Sequence, residues 1–164
     1  MDGARPAGAA DRERIGELRA QLFAELGAYR GGELWARERA SAARADESAT
    51  YVGTLDDVVV GYGIVEVAEL RDGGRLGVVT ELYVEPDARE VGVGETMVGM
   101  VLDWCREHGC EGVDATALPG HRAAKNFFEE RGFVARSLTM YRGLASEESE
   151  PPDEPEPSEA GGGA

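Results

Sequence analysis

The stretch ELYVEPDAREVGVGETMVGMVLDWCREHG constrains this chain more than any other. A β-branched and aromatic run breaks at Pro86 and passes through Gly92 and Gly94. It then continues at helical period with Val93, Met97, Val101 and Cys105, and with Val98 and Leu102 beside them. A strand therefore feeds a helix through a glycine turn, and Gly109 is placed to end that helix. The first amides of a helix have no intrahelical acceptor and point at whatever sits above the turn, where the aligned peptide dipoles favour negative charge. Glycines admit a ligand close to the backbone. Arg89 adds a fixed positive charge, which favours a diphosphate over a carboxylate. Taken alone, a G-x-G pair more often marks a plain strand-to-helix turn.

On either side of this unit the pattern is that of a mixed α/β domain. Asp11 stands as N-cap before an apolar stripe at Ile15, Leu18, Leu22 and Leu26, which predicts a first helix. Gly31 and Gly32 separate it from a second, weaker helical stretch from about Glu33 to Ala45, where only Leu34 and Trp35 are large and apolar. Tyr51 to Leu55 and Val58 to Val67, divided by Asp56-Asp57, read as a β-hairpin. The run RDGGR turns the chain into a third strand, Leu76 to Val84. Beyond the glycine-turn helix the reading is a strand at about Gly112 to Ala117, a short helix from His121 to Arg131, and final strands from Phe133 to about Leu144.

Charge and cysteine content narrow the partners. The 164 residues carry a net charge of −15, which repels nucleic acid and anionic lipid. Seven acidic and no basic residues lie from Ala145 onward, leaving about −8 for residues 1–144. That stretch, 145–164, cannot bury enough apolar surface to order itself, so the expected organisation is one domain over 1–144 followed by a disordered acidic tail. No apolar run approaches the roughly 20 residues of a membrane helix, and the N-terminus lacks the order of a signal peptide, which together place the chain in the cytoplasm. Cys105 and Cys110 come without histidine-rich or Cys-x-x-Cys spacing and are expected as plain thiols, with no metal.

The string V-E-P-D-A-R-E-V-G-V-G resembles the coenzyme A signature of the GNAT superfamily of N-acyltransferases, in which Arg or Gln precedes a G-x-G/A turn by three residues; Arg89, Gly92 and Gly94 match it. The block H-R-A-A-K-N-F-F-E-E-R-G-F is similar to that family's second motif, with Gly132 and Phe133 at its end, and Arg5-Pro6-Ala7 with Asp11 is similar to its opening. The resemblance implies a mixed central sheet, splayed between the strands at Leu76 to Val84 and Gly112 to Ala117, with acetyl-CoA as co-substrate in the splay. It implies that Leu82, Tyr83 and Val84 pair with the pantetheine amides and that the amides of Arg89, Glu90, Val91, Gly92, Val93 and Gly94 hold the pyrophosphate. His121 stands where many members carry an Asn that contacts the pantetheine arm. The reaction implied is transfer of an acetyl group to a primary amine of a small molecule, peptide or protein, with the acceptor unidentified.

Two departures from the family bear on the chemistry. Where a Tyr commonly protonates the leaving thiolate, this chain has Phe128, which has no proton to give and can only pack against the thioester. Glu90-Val91 replaces residues that are commonly basic or small. The candidate base is Glu81, on the strand entering the turn and on the same face as Tyr83; a solvated strand carboxylate is the alternative. Tyr141 is a second candidate donor and Trp35 a candidate wall of the acceptor pocket, although both also fit as packing aromatics. Three functions stay open at this stage: an N-acetyltransferase, a catalytically weak acyl-CoA sensor, and a nucleotide-binding domain. The last lacks the expected spacing, since Met97 stands where a third glycine belongs. An edge strand near the C-terminus allows a homodimer.

Overall fold

The hairpin predicted around Asp56-Asp57 forms the centre of the sheet: both residues adopt positive φ, 49° and 64°, as a tight two-residue turn requires. The computed structural model describes residues 3–144. The chain divides into two units, Met1–Val134 and Ala135–Ala164. The first contains β1 (Gly3–Pro6), α1 (Arg12–Leu26), α2 (Gly32–Ser41), β2 (Ser48–Leu55), β3 (Val58–Glu69), β4 (Arg75–Val84), α3 (Val93–Glu107), β5 (Gly112–Ala115) and α4 (Arg122–Glu129). The described residues of the second unit, 135–144, contain no helix or strand. The acidic stretch 145–164 lies outside the described residues.

The five strands lie in the order β1-β2-β3-β4-β5, antiparallel except for the parallel pair β4 and β5. Helix α3 covers one face. Val101 and Cys105 pack with Tyr51, Val65 and Val79, while Val93 and Met97 pack with Val60 and Ala88. Helix α1 covers the other face, setting Leu18, Leu22 and Leu26 against Val52, Tyr62 and Tyr83. The stripe read from the sequence is therefore the buried one, with Ile15 at its half-buried edge. Cys105 and Cys110 are free thiols, and burial, then the neighbouring Cys110, pushes the Cys105 thiol up to about 12, so it stays protonated and inert.

The structure corrects the sequence reading in two places. Gly3–Pro6, read as a loose start, is an edge strand: GARP has no strand signature, and its pairing with Tyr51 to Thr54 of β2 supplies the order. The final strands expected from Phe133 to Leu144 are absent among the described residues. Gly132 ends α4 at φ 88°, and the N–H of Phe133 donates to the carbonyl of Phe128 at 3.1 Å, so the chain turns and Phe133 packs edgewise on Phe128 at 5.2 Å. A strand exists only through its ladder, and no described strand pairs with these residues. The edge-strand argument for a homodimer goes with them.

One local irregularity positions the site. Ile64 pairs with Glu81 while its neighbour Val65 pairs with Val79, which leaves Thr80 as the extra residue of a β-bulge. Val79 points into the apolar layer under α3. Past the bulge the alternation is reset, so Glu81 and Tyr83 face α1.

Candidate functional site

Strands β4 and β5 are parallel neighbours only from the Leu76–Gly112 pair to the Val79–Ala115 pair, and then they part. A cleft of about 960 Å³ opens there, lined by β4 from Val79 to Val84, by the turn before α3, and by α4. The N–H of Glu85 donates to Val60 on β3 at 2.8 Å, so Leu82 and Val84, two strand positions of opposite sense, turn their backbone groups toward the parted side. The carbonyl of Val84 accepts the Arg89 Nε at 2.8 Å.

The turn into α3 has the backbone its glycines predict. Glu90 has φ 66° and Gly92, the N-cap, has φ 91°, a conformation that favours glycine. Gly94 serves packing as well: a Cβ there would meet the Phe127 ring at 3.1 Å. The absence of a side chain at Gly94 thus seats α4 on the start of α3. Arg89 departs from expectation. Its guanidinium turns back to Glu25 at 2.6 Å and lies 5.5 Å from the centre of the Tyr83 ring, so its charge is matched within the protein. At this turn the attraction for an anion rests on the opening amides of α3.

Arg131 also lines the cleft, and the sequence reading passed it over. Its NH1 donates to the Phe127 carbonyl at 2.7 Å and its guanidinium stacks 3.8 Å from the Phe127 ring centre, yet its Nε is buried without a hydrogen-bond partner. The only sequence signal was its place directly before Gly132.

His121, Phe128 and Trp35 line the same cleft. His121 stacks on Tyr29 at 4.4 Å and stands 3.9 Å from Glu25, which thereby lies between Arg89 and His121. Burial lowers the His121 pKa, Glu25 opposes the shift and Arg89 adds to it, so the ring is neutral near pH 7. Phe128 packs against Phe127 and Phe133. Trp35 combines both of its expected roles, meeting Phe23 edge to face at 5.6 Å while facing the cleft. Tyr141 belongs to the second unit.

Glu81 is where the structure adds most. Its side chain has no solvent exposure. Its Oε1 accepts from Arg19 Nε at 2.7 Å and from the Tyr62 hydroxyl at 2.9 Å, and its Oε2 accepts from Arg19 and from Arg39, each at 3.3 Å. The alternative of a solvated strand carboxylate is therefore excluded. Burial, then the neighbouring Glu81 charge, pushes the Tyr62 pKa up, so its hydroxyl stays protonated and donates. Two guanidiniums and a phenol clamp the carboxylate, and it can take a proton only after releasing a partner.

The family model described as "Acetyltransferase (GNAT) family" matches residues 15–133. No curated protein matches the chain. Solved structures share the fold. An aminoglycoside N-acetyltransferase, AAC(6')-Iy, in complex with CoA is 20% identical, with a TM-score of 0.66 over 87% of this chain and 99% of that one. Glucosamine-6-phosphate N-acetyltransferase from Arabidopsis thaliana is 21% identical, with a TM-score of 0.62 over 88% and 99%. A tetramutant of the BH1408 protein from Bacillus halodurans is 15% identical, with a TM-score of 0.72 over 86% and 99%. Among the described residues, no helix is long and apolar enough to cross a membrane.

Proposed function

Because the chain belongs to the GNAT acetyltransferase family, we propose that it moves an acetyl group from acetyl-CoA to a primary amine and works in the cytoplasm. The observation that carries this reading is the parting of β4 and β5 beside a glycine-opened helix N-terminus, which sets unpaired strand edges and unpaired helix amides along one cleft. Acetyl-CoA supplies a thioester that an amine can attack. For holding it, we assign the backbone of Leu82 and Val84, on either side of Tyr83, to the pantetheine amides, the amides from Glu90 through Gly94 to the pyrophosphate, and His121 and Phe128 to the arm and the thioester. The orphaned Arg131 Nε is a fitting donor for a phosphate oxygen, since a buried donor without an acceptor is costly.

Glu81 is our proposed base, acting once a guanidinium is drawn off it. The neutral imidazole of His121 is the second candidate on the cleft wall. No hydroxyl stands at Phe128 to protonate the thiolate, which leaves unaided with a thiol pKa of about 8.5 by analogy with cysteine.

Calorimetric titration with acetyl-CoA tests the cleft. Gly92→Val, which forces a β-branched residue to φ 91°, should weaken binding by roughly tenfold or more, and unchanged affinity would remove the turn from the site. The clamped Glu81 and the bare ring of Phe128 also support a second reading, a catalytically weak acyl-CoA sensor. Thiol release over an amine panel separates the two: binding without turnover on any amine selects the sensor. Phe128→Tyr should raise turnover only if leaving-group protonation limits the rate.

A further inference from the structure

A second cavity, of about 510 Å³, lies on the face of the sheet covered by α1 and α2, and Glu81 lines both it and the cofactor cleft. Its walls bring together four guanidiniums, those of Arg12, Arg19, Arg39 and Arg44, against two carboxylates, Glu66 and Glu81. In a chain where 32 acidic residues outnumber 17 basic ones, this reverses the local balance of charge.

The cations are incompletely used. Arg19 and Arg39 hold Glu81, and Arg39 reaches Glu66 only at 4.0 Å while its Nε is buried with no partner. Arg44 donates to hydroxyls alone, to Ser48 at 3.0 Å and to Thr50. The Arg12 side chain makes no hydrogen bond or ion pair among the described residues. An excess of guanidiniums with an unsatisfied buried donor is relieved by a planar or tetrahedral oxyanion, whose oxygens match the guanidinium fork. A neutral amine leaves the excess in place, and a polyamine is repelled by it.

We infer that this cavity holds an anionic group of the acceptor, so that the substrate is an amine carrying a carboxylate or a phosphate. Arg12, Arg39 and Arg44 anchor that group while the amine lies toward Glu81, the residue common to both cavities. The same contact explains how Glu81 is freed. An oxyanion competing for Arg39 takes one partner from the carboxylate, which then accepts the proton that the amine loses as nitrogen bonds to the acetyl carbon and the C–S bond breaks to release the coenzyme A thiolate. The assignment rests on the acetyltransferase reading above.

The test is thiol release from acetyl-CoA with matched pairs of acceptors. One arm compares lysine with cadaverine, its decarboxylated form, and the other compares glucosamine 6-phosphate with glucosamine. The member carrying the carboxylate or phosphate should be preferred by roughly tenfold or more in kcat/KM in at least one pair, and the arm that shows it identifies the group. The double variant Arg12→Gln/Arg44→Gln should raise KM for that acceptor by a similar factor and collapse the preference. Both side chains are exposed and neither pairs with a carboxylate among the described residues, and a melting curve verifies folding. Titration of the wild-type protein with lysine and glucosamine 6-phosphate gives a readout independent of turnover, with binding expected for the preferred acceptor and lost in the variant. Equal or better use of cadaverine and glucosamine, which lack the anionic group, or a preference untouched in the folded variant, overturns the inference while acetyl transfer stands. If acetyl-CoA alone does not bind the wild-type protein in the calorimeter, the acetyltransferase reading falls and the inference falls with it.

Discussion

The two faces of the sheet are built on opposite principles. Under α3 the layer is apolar: Val93, Met97, Val98, Val101 and Cys105 are all at most 3% exposed, Val101 and Cys105 meeting Tyr51, Val65 and Val79, and Val93 and Met97 meeting Val60 and Ala88. Under α1 and α2 the layer begins equally apolar, at Leu18, Leu22 and Leu26, and then gives way to a hydrogen-bonded network in which Tyr62, Arg19 and Arg39 surround the buried Glu81. The first face needs only shape and hydrophobicity and can hold the donor's helix rigidly in register. The second carries charge that must be paired atom by atom, which makes it costly as a core but suited to recognising a polar acceptor. On the function proposed above, the first side serves cofactor placement and the second acceptor chemistry.

The strongest way to break this comparison is to damage each face in turn. Met97→Ala, at a position with no exposure on the α3 face, should cost about 3 kcal/mol of unfolding free energy through lost burial and a residual cavity. Leu34→Ala on α2, where Leu34 is 36% exposed, should cost under about 1 kcal/mol. Urea unfolding measures both, and similar losses would show that the α2 side shares the core's burden.

Next in size is the effect on chemistry. Glu81→Gln should lower turnover by roughly 10² near neutral pH and remove the acidic limb of the rate profile, while acetyl-CoA affinity is preserved because that site lies along the backbone. His121→Asn should leave that limb in place. If the limb moves with His121 and survives in the Glu81 variant, the base sits on the cleft wall and the α1 face is left with binding alone.

The smallest effect sharpens the picture at the edge of the polar face. Arg5 grips Asp11 at 2.7 Å and 2.9 Å, and the Arg5 contact, then the Gly8 N–H, holds the Asp11 carboxyl at about 2, below its ordinary 3.8. A carboxyl depressed in the folded state stabilises the fold fully above its unfolded pKa and loses that contribution as pH falls from near 4 through about 2. Melting temperature should therefore decline over that window in the wild type and more gently in Asp11→Asn; parallel curves would show the pair to be a surface contact of no consequence.

Much of this protein is decided by neighbours in sequence. The amphipathic period of α3, the left-handed turn at Gly92 and the two-residue hairpin at Asp56-Asp57 depend on residues within a few positions of one another, so the sequence alone determined them, and with them the order of elements from α1 to α4, the family resemblance and the glycine turn. Tertiary structure decided the rest. Glu81 meets Arg19 across 62 positions and Arg39 across 42, and a one-residue bulge at Thr80, invisible in any period-2 pattern, selects which face it joins. Strand β1 exists because β2 offers it a ladder, and the apolar pattern after Gly132 forms no strand because no described ladder accepts it. Arg89 was expected to serve the anion and is held by Glu25 instead, while Arg12, Arg39 and Arg44, unremarkable along the chain, converge in one cavity. Local conformation follows from local torsional and packing preferences, whereas charge pairing depends on distances that only the folded chain sets.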